Sequence, residues 1–212
     1  MSRFARLAFT DTVRQLQQDE GTRPARWKNL GEAVGRERDP LGERETEFIT
    51  GRDGFYLGSV GETGWPYIQF RGGPPGFVHV VDPLTLAYAD VRGNRQYITN
   101  GNLKTDSRVA LFFMDYAHQS RLKLFGHAHT RNLDEDPDLA ERVSSPRTAG
   151  RVERIMVIDL EGHDWNCPKH IPRRHSDAEL APTYERLHAL ENENAILRKR
   201  LAELGADTDP AV

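Results

Sequence analysis

The sequence predicts a mainly β fold of the α+β kind: six or seven antiparallel strands closing into a full or partly open barrel, with short peripheral helices and one long C-terminal helix. Three observations predict it. Between Phe55 and Leu160 the chain breaks into short aliphatic and aromatic runs, each of strand length and bounded by Gly, Pro, Asn or Asp. Several of these runs alternate apolar with polar residues, as a sheet with one face on a core requires. Beyond Pro182 the apolar period changes to seven, which belongs to a helix.

Taken in order, Thr10-Asp11-Thr12 followed by Val13, Leu16 and Gln17 predicts a capped short helix ending near Gly21. Thr22 to Gly42 carries Gly31, Gly35 and Pro40 among many charges, so it reads as an arm lying on the domain. Leu41 to Arg52 predicts a helix with Phe48 and Ile49 inward, closed by Asp53-Gly54. Phe55 to Val60 and Trp65 to Phe70 are two strands around Gly61-Glu62-Thr63-Gly64, where Gly supplies the positive φ of a tight hairpin. After the Gly72 to Gly76 loop come strands at Phe77 to Val81 and Leu84 to Val91, joined by Asp82-Pro83. Strands at Val109 to Met114 and Leu122 to Arg131, a helix at Asp136 to Val143 and a last strand at Val152 to Leu160 complete the barrel.

In the terminal helix Leu180, Leu187, Asn194 and Leu201 fall at position a of a heptad, and Thr183, Leu190, Leu197 and Leu204 at d. Arg186, Glu193 and Arg200 then take g, and Glu191 and Arg198 take e. Two arrangements satisfy this pattern: a parallel coil with a second copy, or an amphipathic helix packed on its own barrel.

A chain of 212 residues holds one ordinary domain with extensions. With 37% hydrophobic and 29% charged residues it is polar for a single core, so the polar excess is expected at the ends. This gives an N-terminal helix and arm over 1–40, a barrel over 41–176 and a helical tail over 177–212. A net charge of -3 offers no electrostatic case for nucleic acid. Cys167 is the single cysteine, no run is long enough to span a membrane, and Met1 to Thr10 is too broken by Arg3 and Arg6 for a signal peptide, so cytoplasm is expected.

The stretch Gly93 to Leu103 lies between two strands and is therefore a crossover. Its permanent cation, Arg95, is surrounded by amides and hydroxyls from Asn94, Gln96, Tyr97, Thr99 and Asn102. Two readings fit: a phosphate site, which needs such a mixture because guanidinium supplies charge and two-pronged geometry while neutral donors complete the hydrogen bonds, or an ordinary polar connection with a solvated Arg. A second cationic segment, Arg121 to Gly126, alternates so that Arg121 and Lys123 share one face and Leu122 and Leu124 the other. With Gly64 to Gly73 upstream, these motifs in this order resemble the FMN-binding split-barrel family of pyridoxamine 5'-phosphate oxidase-like proteins, over roughly residues 40 to 175.

The resemblance implies a split barrel, and FMN in a groove at a two-fold homodimer interface with its phosphate at the crossover. Asn94, Arg95 and Gln96 fall on the family's Ser-Arg-Lys triplet; Gln96 thus removes a positive charge, and Arg121, with Lys123 on the same face, is the candidate to replace it. Gln69 falls where the family has an Arg, and with Phe70 and Arg71 forms a strand whose backbone would meet the pyrimidine end of the flavin. Arg71 has a plain alternative as a solvated charge. Asp90 falls at a position that touches flavin through its backbone, and Trp165 either covers the ring from the partner subunit or anchors a packed loop through Trp165-Asn166-Cys167-Pro168.

Flavin itself carries the redox step, so the family's chemistry requires no protein nucleophile and no catalytic residue is assigned. The resemblance implies an oxidoreductase acting on an unidentified small molecule, with a nicotinamide reductant as a candidate partner. The alternatives are a flavin-binding or sensing module without turnover, and a haem- or deazaflavin-binding relative. His118, His127 and His129 lack a supporting Cys or carboxylate cluster, so no metal is expected. Arg173-Arg174-His175 is a short match to the oxidase's substrate-binding Arg-x-His pair, out of its usual context, and pyridoxamine phosphate is not the expected substrate.

Overall fold

A computed structural model describes residues 2–22, 37–165 and 169–204. Most of the arm, including Gly31 and Gly35, and Asn166, Cys167 and Pro168 lie outside the described residues. The chain forms two compact units, Met1–Ile171 and Pro172–Val212.

The first unit is one seven-stranded antiparallel sheet. Its strands are β1 Gly54–Val60, β2 Pro66–Gly72, β3 Val78–Asp82, β4 Thr85–Val91, β5 Arg108–Asp115, β6 Ser120–Arg131 and β7 Val152–Trp165. They run in the order β2-β1-β5-β6-β7-β4-β3. The mainly β, split-barrel class predicted from the sequence is the one observed. Helices α1 Arg3–Ala8, α2 Asp11–Asp19, α3 Glu43–Thr50, α4 Ile98–Asn102 and α5 Pro137–Val143 lie between or before the strands.

The alternation read from the sequence decides which side chains enter the barrel. Leu57, Leu111, Phe113, Leu122, Leu124, Met156 and Ile158 are all buried in one cluster with Phe55, Leu86 and Tyr88. Phe55 stacks on Phe113 with centroids 4.7 Å apart and meets Tyr88 edge-on at 5.5 Å. Each such side chain contributes about 1.5–3 kcal/mol of burial, so this cluster is the main source of the barrel's stability. Strand β4 is buried on both faces, because a second cluster packs Ala87 and Ala89 with Leu139 and Val143 of α5. A strand covered twice loses its alternation, hence the unbroken apolar run from Leu86 to Ala89.

Two features depart from the sequence reading. Helix α1 escaped it, being six residues long, with its first N–H groups held by Asp39: Oδ1 accepts from the Arg3 N–H at 2.8 Å and Oδ2 from the Phe4 N–H at 2.9 Å. Phe4 then stacks flat on Phe125 of β6, with centroids 4.7 Å apart. Strand β7 continues past Leu160 to Trp165, because β6 is long enough to pair with it as far as Leu122↔Trp165. Gly162 makes this extension compatible with α1, since a Cβ there would lie 2.5 Å from the Phe4 backbone nitrogen.

The second unit contains α6, Asp177–Glu203, capped by Ser176, whose hydroxyl accepts from the Glu179 N–H while the Glu179 carboxylate accepts from the Ser176 N–H. Pro182 lies inside the helix and no residue of α6 is buried. Among the described residues, no helix is long and apolar enough to cross a membrane.

Candidate functional site

The crossover from β4 to α4 and the inward-turned side chains of β2 enclose a cleft of about 190 Å³. Strand β2 alternates strictly: Tyr67, Gln69 and Arg71 are half-buried and Ile68 and Phe70 are exposed. The first three line the cleft together with Asp90, Asn94, Arg95 and Gln96. Six of the sequence-predicted residues therefore meet in one place.

The crossover backbone is held in an uncommon shape. Arg95 and Tyr97 both lie in the left-handed region, with φ of 63° and 52°, where a side chain costs on the order of 1 kcal/mol. Asn94 supports the turn, its Oδ1 accepting from the Gln96 N–H at 3.2 Å. The following helix is pinned from below: the buried Thr99 hydroxyl donates to Gln69 Oε1 at 3.1 Å, and Asn102 donates to the Ser59 hydroxyl at 3.0 Å.

Behind the crossover lies a charge network around the buried Asp90. Asp90, 6% exposed, accepts from the Asn100 amide at 3.0 Å and faces Arg154 Nε at 3.4 Å and Arg71 Nη1 at 3.9 Å. Its side chain, which the resemblance left without a role, therefore balances two guanidiniums. Glu153 accepts from the Tyr97 hydroxyl at 3.0 Å and is flanked by Arg154 at 3.0 Å and Arg92 at 3.6 Å. The Tyr97 hydrogen bond, with help from Arg154 and Arg92, outweighs burial and holds the Glu153 carboxyl below its ordinary range. Deeper in, burial pushes the Tyr88 hydroxyl far up despite the neighbouring Arg71 cation.

Glu153 and Arg154 were missed at the sequence level, and the register explains why. Asp90 pairs with Arg154 but Val91 pairs with Val152, so Glu153 is the extra residue of a β-bulge. Adjacent strand residues normally point to opposite faces, and the bulge re-aims one so that both serve the same site. A Glu-Arg doublet at a strand start was the available signal, but nothing in the residues marked the slip.

Arg71 and Arg95 line the cleft with Asp90 and Glu153; Arg92 and Arg154 pair with those carboxylates from outside its lining, so the cluster as a whole, though not the lining, carries two more guanidiniums than carboxylates. Arg71, Arg92 and Arg154 have carboxylate partners; Arg95 is exposed and forms no ion pair among the described residues. Two polar atoms of residues lining the cleft, Arg71 Nε and Asn100 Oδ1, are buried without a hydrogen-bond partner. A group with anionic, hydrogen-bond-accepting oxygens fits Arg95 and the Arg71 Nε donor, whereas Asn100 Oδ1 is an acceptor and calls for a donor.

The other predicted residues lie elsewhere in the fold. Phe70 projects from the opposite face of β2 and meets Tyr56 edge-on at 5.4 Å. Arg121 and Lys123 are on the outer face of β6: Arg121 lies 6.0 Å from the Phe112 ring, and Lys123 pairs with Asp164 at 3.1 Å and lies 4.9 Å from the Phe4 ring. Trp165 ends β7 against α3, donating to Glu45, edge-on to Phe48 at 4.7 Å, with the Arg44 guanidinium 4.1 Å above its ring. Burial pushes the Glu45 carboxyl up, but the bonds from Trp165 and the Gly42 N–H leave it below its ordinary range. Among the described residues no group of three or more His, Cys, Asp or Glu side chains is placed to hold a metal.

A seven-stranded antiparallel sheet with a polar, charge-lined cleft at a strand crossover has the form of a split β-barrel. The sequence profile described as pyridoxamine 5'-phosphate oxidase matches residues 41–166, and the chain belongs to that family. No curated protein matches it. Solved structures similar to it include HupZ of Group A Streptococcus, at 14% identity over 64% of this chain and all 100% of that one, with a TM-score of 0.49. An FMN-binding protein from Syntrophomonas wolfei is similar at 10% identity over 72% of this chain and 97% of that one, with a TM-score of 0.47. A Clostridium acetobutylicum protein of the pyridoxinephosphate oxidase family shares 16% identity over 58% and 85%, with a TM-score of 0.43.

Proposed function

We propose that the chain is an FMN-dependent oxidoreductase that holds the FMN phosphate in the crossover cleft. The observation that carries this reading is Arg95: among the described residues, the one guanidinium lining the cleft without a carboxylate, beside a charge cluster that, with Arg92 and Arg154 counted, has two surplus positive charges. A phosphate monoester carries about -1.5 to -2 at neutral pH and matches that surplus. Arg95 would make the two-pronged contact, with the Asn94 and Gln96 side-chain amides as neutral donors. Bound flavin supplies the hydride-transfer chemistry, and the protein's part is to bind, orient and exclude water.

The cleft has room for a phosphate but not for a tricyclic ring, so the ring lies outside it. Strand β2 is an edge strand, and its free backbone edge offers the alternating donors and acceptors that a flavin pyrimidine matches. On its other face Ile68 and Phe70 are 68% and 57% exposed beside Tyr56 at 39%. Such an apolar patch on a sheet supports contact with a second copy, and gives Phe70 its place in the reading. The barrel, 41–176, would then work as a homodimer with flavin at the interface, flanked by the arm over 1–40 and the tail over 177–212.

The test is a binding titration of the purified full chain with FMN and with riboflavin. FMN should bind at least roughly ten-fold more tightly, as expected for charge-assisted hydrogen bonds to the phosphate. Equal affinities would remove the phosphate from the cleft, and a haem or deazaflavin spectrum in the purified protein would replace the cofactor. Anaerobic bleaching of bound FMN by a nicotinamide nucleotide supports turnover. Tight FMN that neither nicotinamide nor oxygen changes would make the chain a flavin-binding module instead.

A further inference from the structure

We infer that α6 pairs with α6 of a second copy as a parallel, in-register, two-stranded coiled coil, and that its charges and Asn194 select this register over its neighbours. The helix is continuous through 27 residues, and its heptad leucines face water: Leu187 is 49% exposed, Leu190 43%, Leu197 49% and Leu201 45%. No residue of α6 is buried, so the seam needs a partner.

Charge decides which partner. When two copies run parallel in register, position g faces e of the next heptad in the other copy. Arg186 then meets the second copy's residue 191, a Glu, and Glu193 meets residue 198, an Arg, so both contacts are attractive and each occurs twice. Sliding one copy by a heptad sets Arg186 against Arg198 on one side and Glu193 against Glu191 on the other. Those are like-charge contacts.

Asn194 adds a second constraint at position a. In register, its amide meets an identical amide and the two satisfy each other; slipped by a heptad, it faces Leu187 or Leu201 and is left unpaired in an apolar seam. Leu at both a and d leaves the number of strands open, whereas a buried Asn at a favours two. Pro182 takes position c and stays out of the seam. This contact is independent of the flavin reading and additional to any between barrels.

The experiment uses the full chain with Cys167→Ser as background, carrying either Asn194→Cys at the seam or Lys199→Cys at the outward position f. Only an in-register parallel coil brings the two residue-194 positions together, within the ~4.4–6.8 Å Cα separation that a disulfide spans. Mild oxidation should convert the 194 variant to covalent dimer at least ten-fold faster than the 199 variant. Adding Glu191→Arg to the 194 variant should slow it several-fold, and Arg186→Glu with Glu191→Arg should restore it. Equal rates at 194 and 199, or no covalent dimer at either, would overturn the coil. Indifference to Glu191→Arg would overturn the register, and cross-linking only to an added foreign helix would overturn the homotypic partner.

Discussion

The crossover cleft and the outer face of β6 both carry cationic side chains, exposed at Arg95 and half-buried at Arg121 and Lys123, and the sequence places them side by side as one cationic set. The fold separates them. Arg95 sits in a left-handed turn without an ion-pair partner among the described residues, beside guanidiniums that pair with Asp90 and Glu153. Arg121 lies over Phe112, and Lys123 between Asp164 and the Phe4 ring. A guanidinium on an aromatic face has an internal partner, although Arg121 Nε is itself buried without a hydrogen bond. On the proposed reading, what would make Arg95 rather than Arg121 a ligand site is the lack of an internal partner, and that cannot be read from spacing.

The largest effect expected is on the cleft's scaffold. Asp90→Asn leaves Arg71 and Arg154 without their shared carboxylate and should cost about 2 kcal/mol in urea unfolding. That is below the range for fully buried pairs because the two Arg side chains are 18% and 26% exposed. The same change adds positive charge to the cleft, so FMN binding should not weaken. Weaker binding in folded Asp90→Asn would mean that Asp90 orients Arg71 for the phosphate, and the paired and unpaired cations would no longer be separate classes.

Next is the ligand contact itself. Arg95→Ala should raise the FMN dissociation constant roughly 10–100-fold, in line with a lost charged hydrogen bond, while riboflavin binding and the unfolding midpoint stay put. Arg95→Ala that bound FMN as tightly as the parent would sink the assignment. Arg121→Ala should change FMN affinity less than about three-fold, as for a cation engaged on an aromatic face. If its effect equalled that of Arg95→Ala, the outer face of a second copy would have to complete the cleft, and the contrast between the two regions would dissolve.

The strands were legible because alternation is a local signal: the inward Leu122 and Leu124, and the outward Arg121 and Lys123, follow from period two alone. The crossover was legible too, since Asn94, Arg95 and Gln96 are contiguous and chemically unusual together. Three things were hidden for physical reasons. The bulge that puts Glu153 into the cleft is a property of pairing between β4 and β7. The six-residue α1 depends on a carboxylate 35 residues away from Phe4. Trp165 looked like a loop residue because the length of β7 is set by its partner, and only pairing with β6 brings the indole to Glu45.

The smallest expected effect tests whether Glu153 is a partner for internal cations, as the contrast requires. Its carboxyl is held below the ordinary value of about 4.5 by the Tyr97 hydroxyl, with Arg154 and Arg92 also acting in the same direction. A depressed folded pKa means that the unfolded chain takes up the proton first as acid is added. The stability contributed by Glu153 is therefore complete above about pH 4.5 and lost as pH falls through the lower, folded value. Glu153→Gln removes that slope, so parent and variant should differ most at neutral pH and converge on acidification. Asp115, lowered against its burial by the His118 N–H and Arg52, and Glu161, lowered against its burial by Arg3 and Arg38, keep their own acid limbs in both proteins. Unfolding midpoints taken from pH 7 down to about 3 therefore isolate this one group. A gap that stayed constant across that window would mean that the Glu153→Gln change disturbs packing, and that the cations around this position find their balance elsewhere.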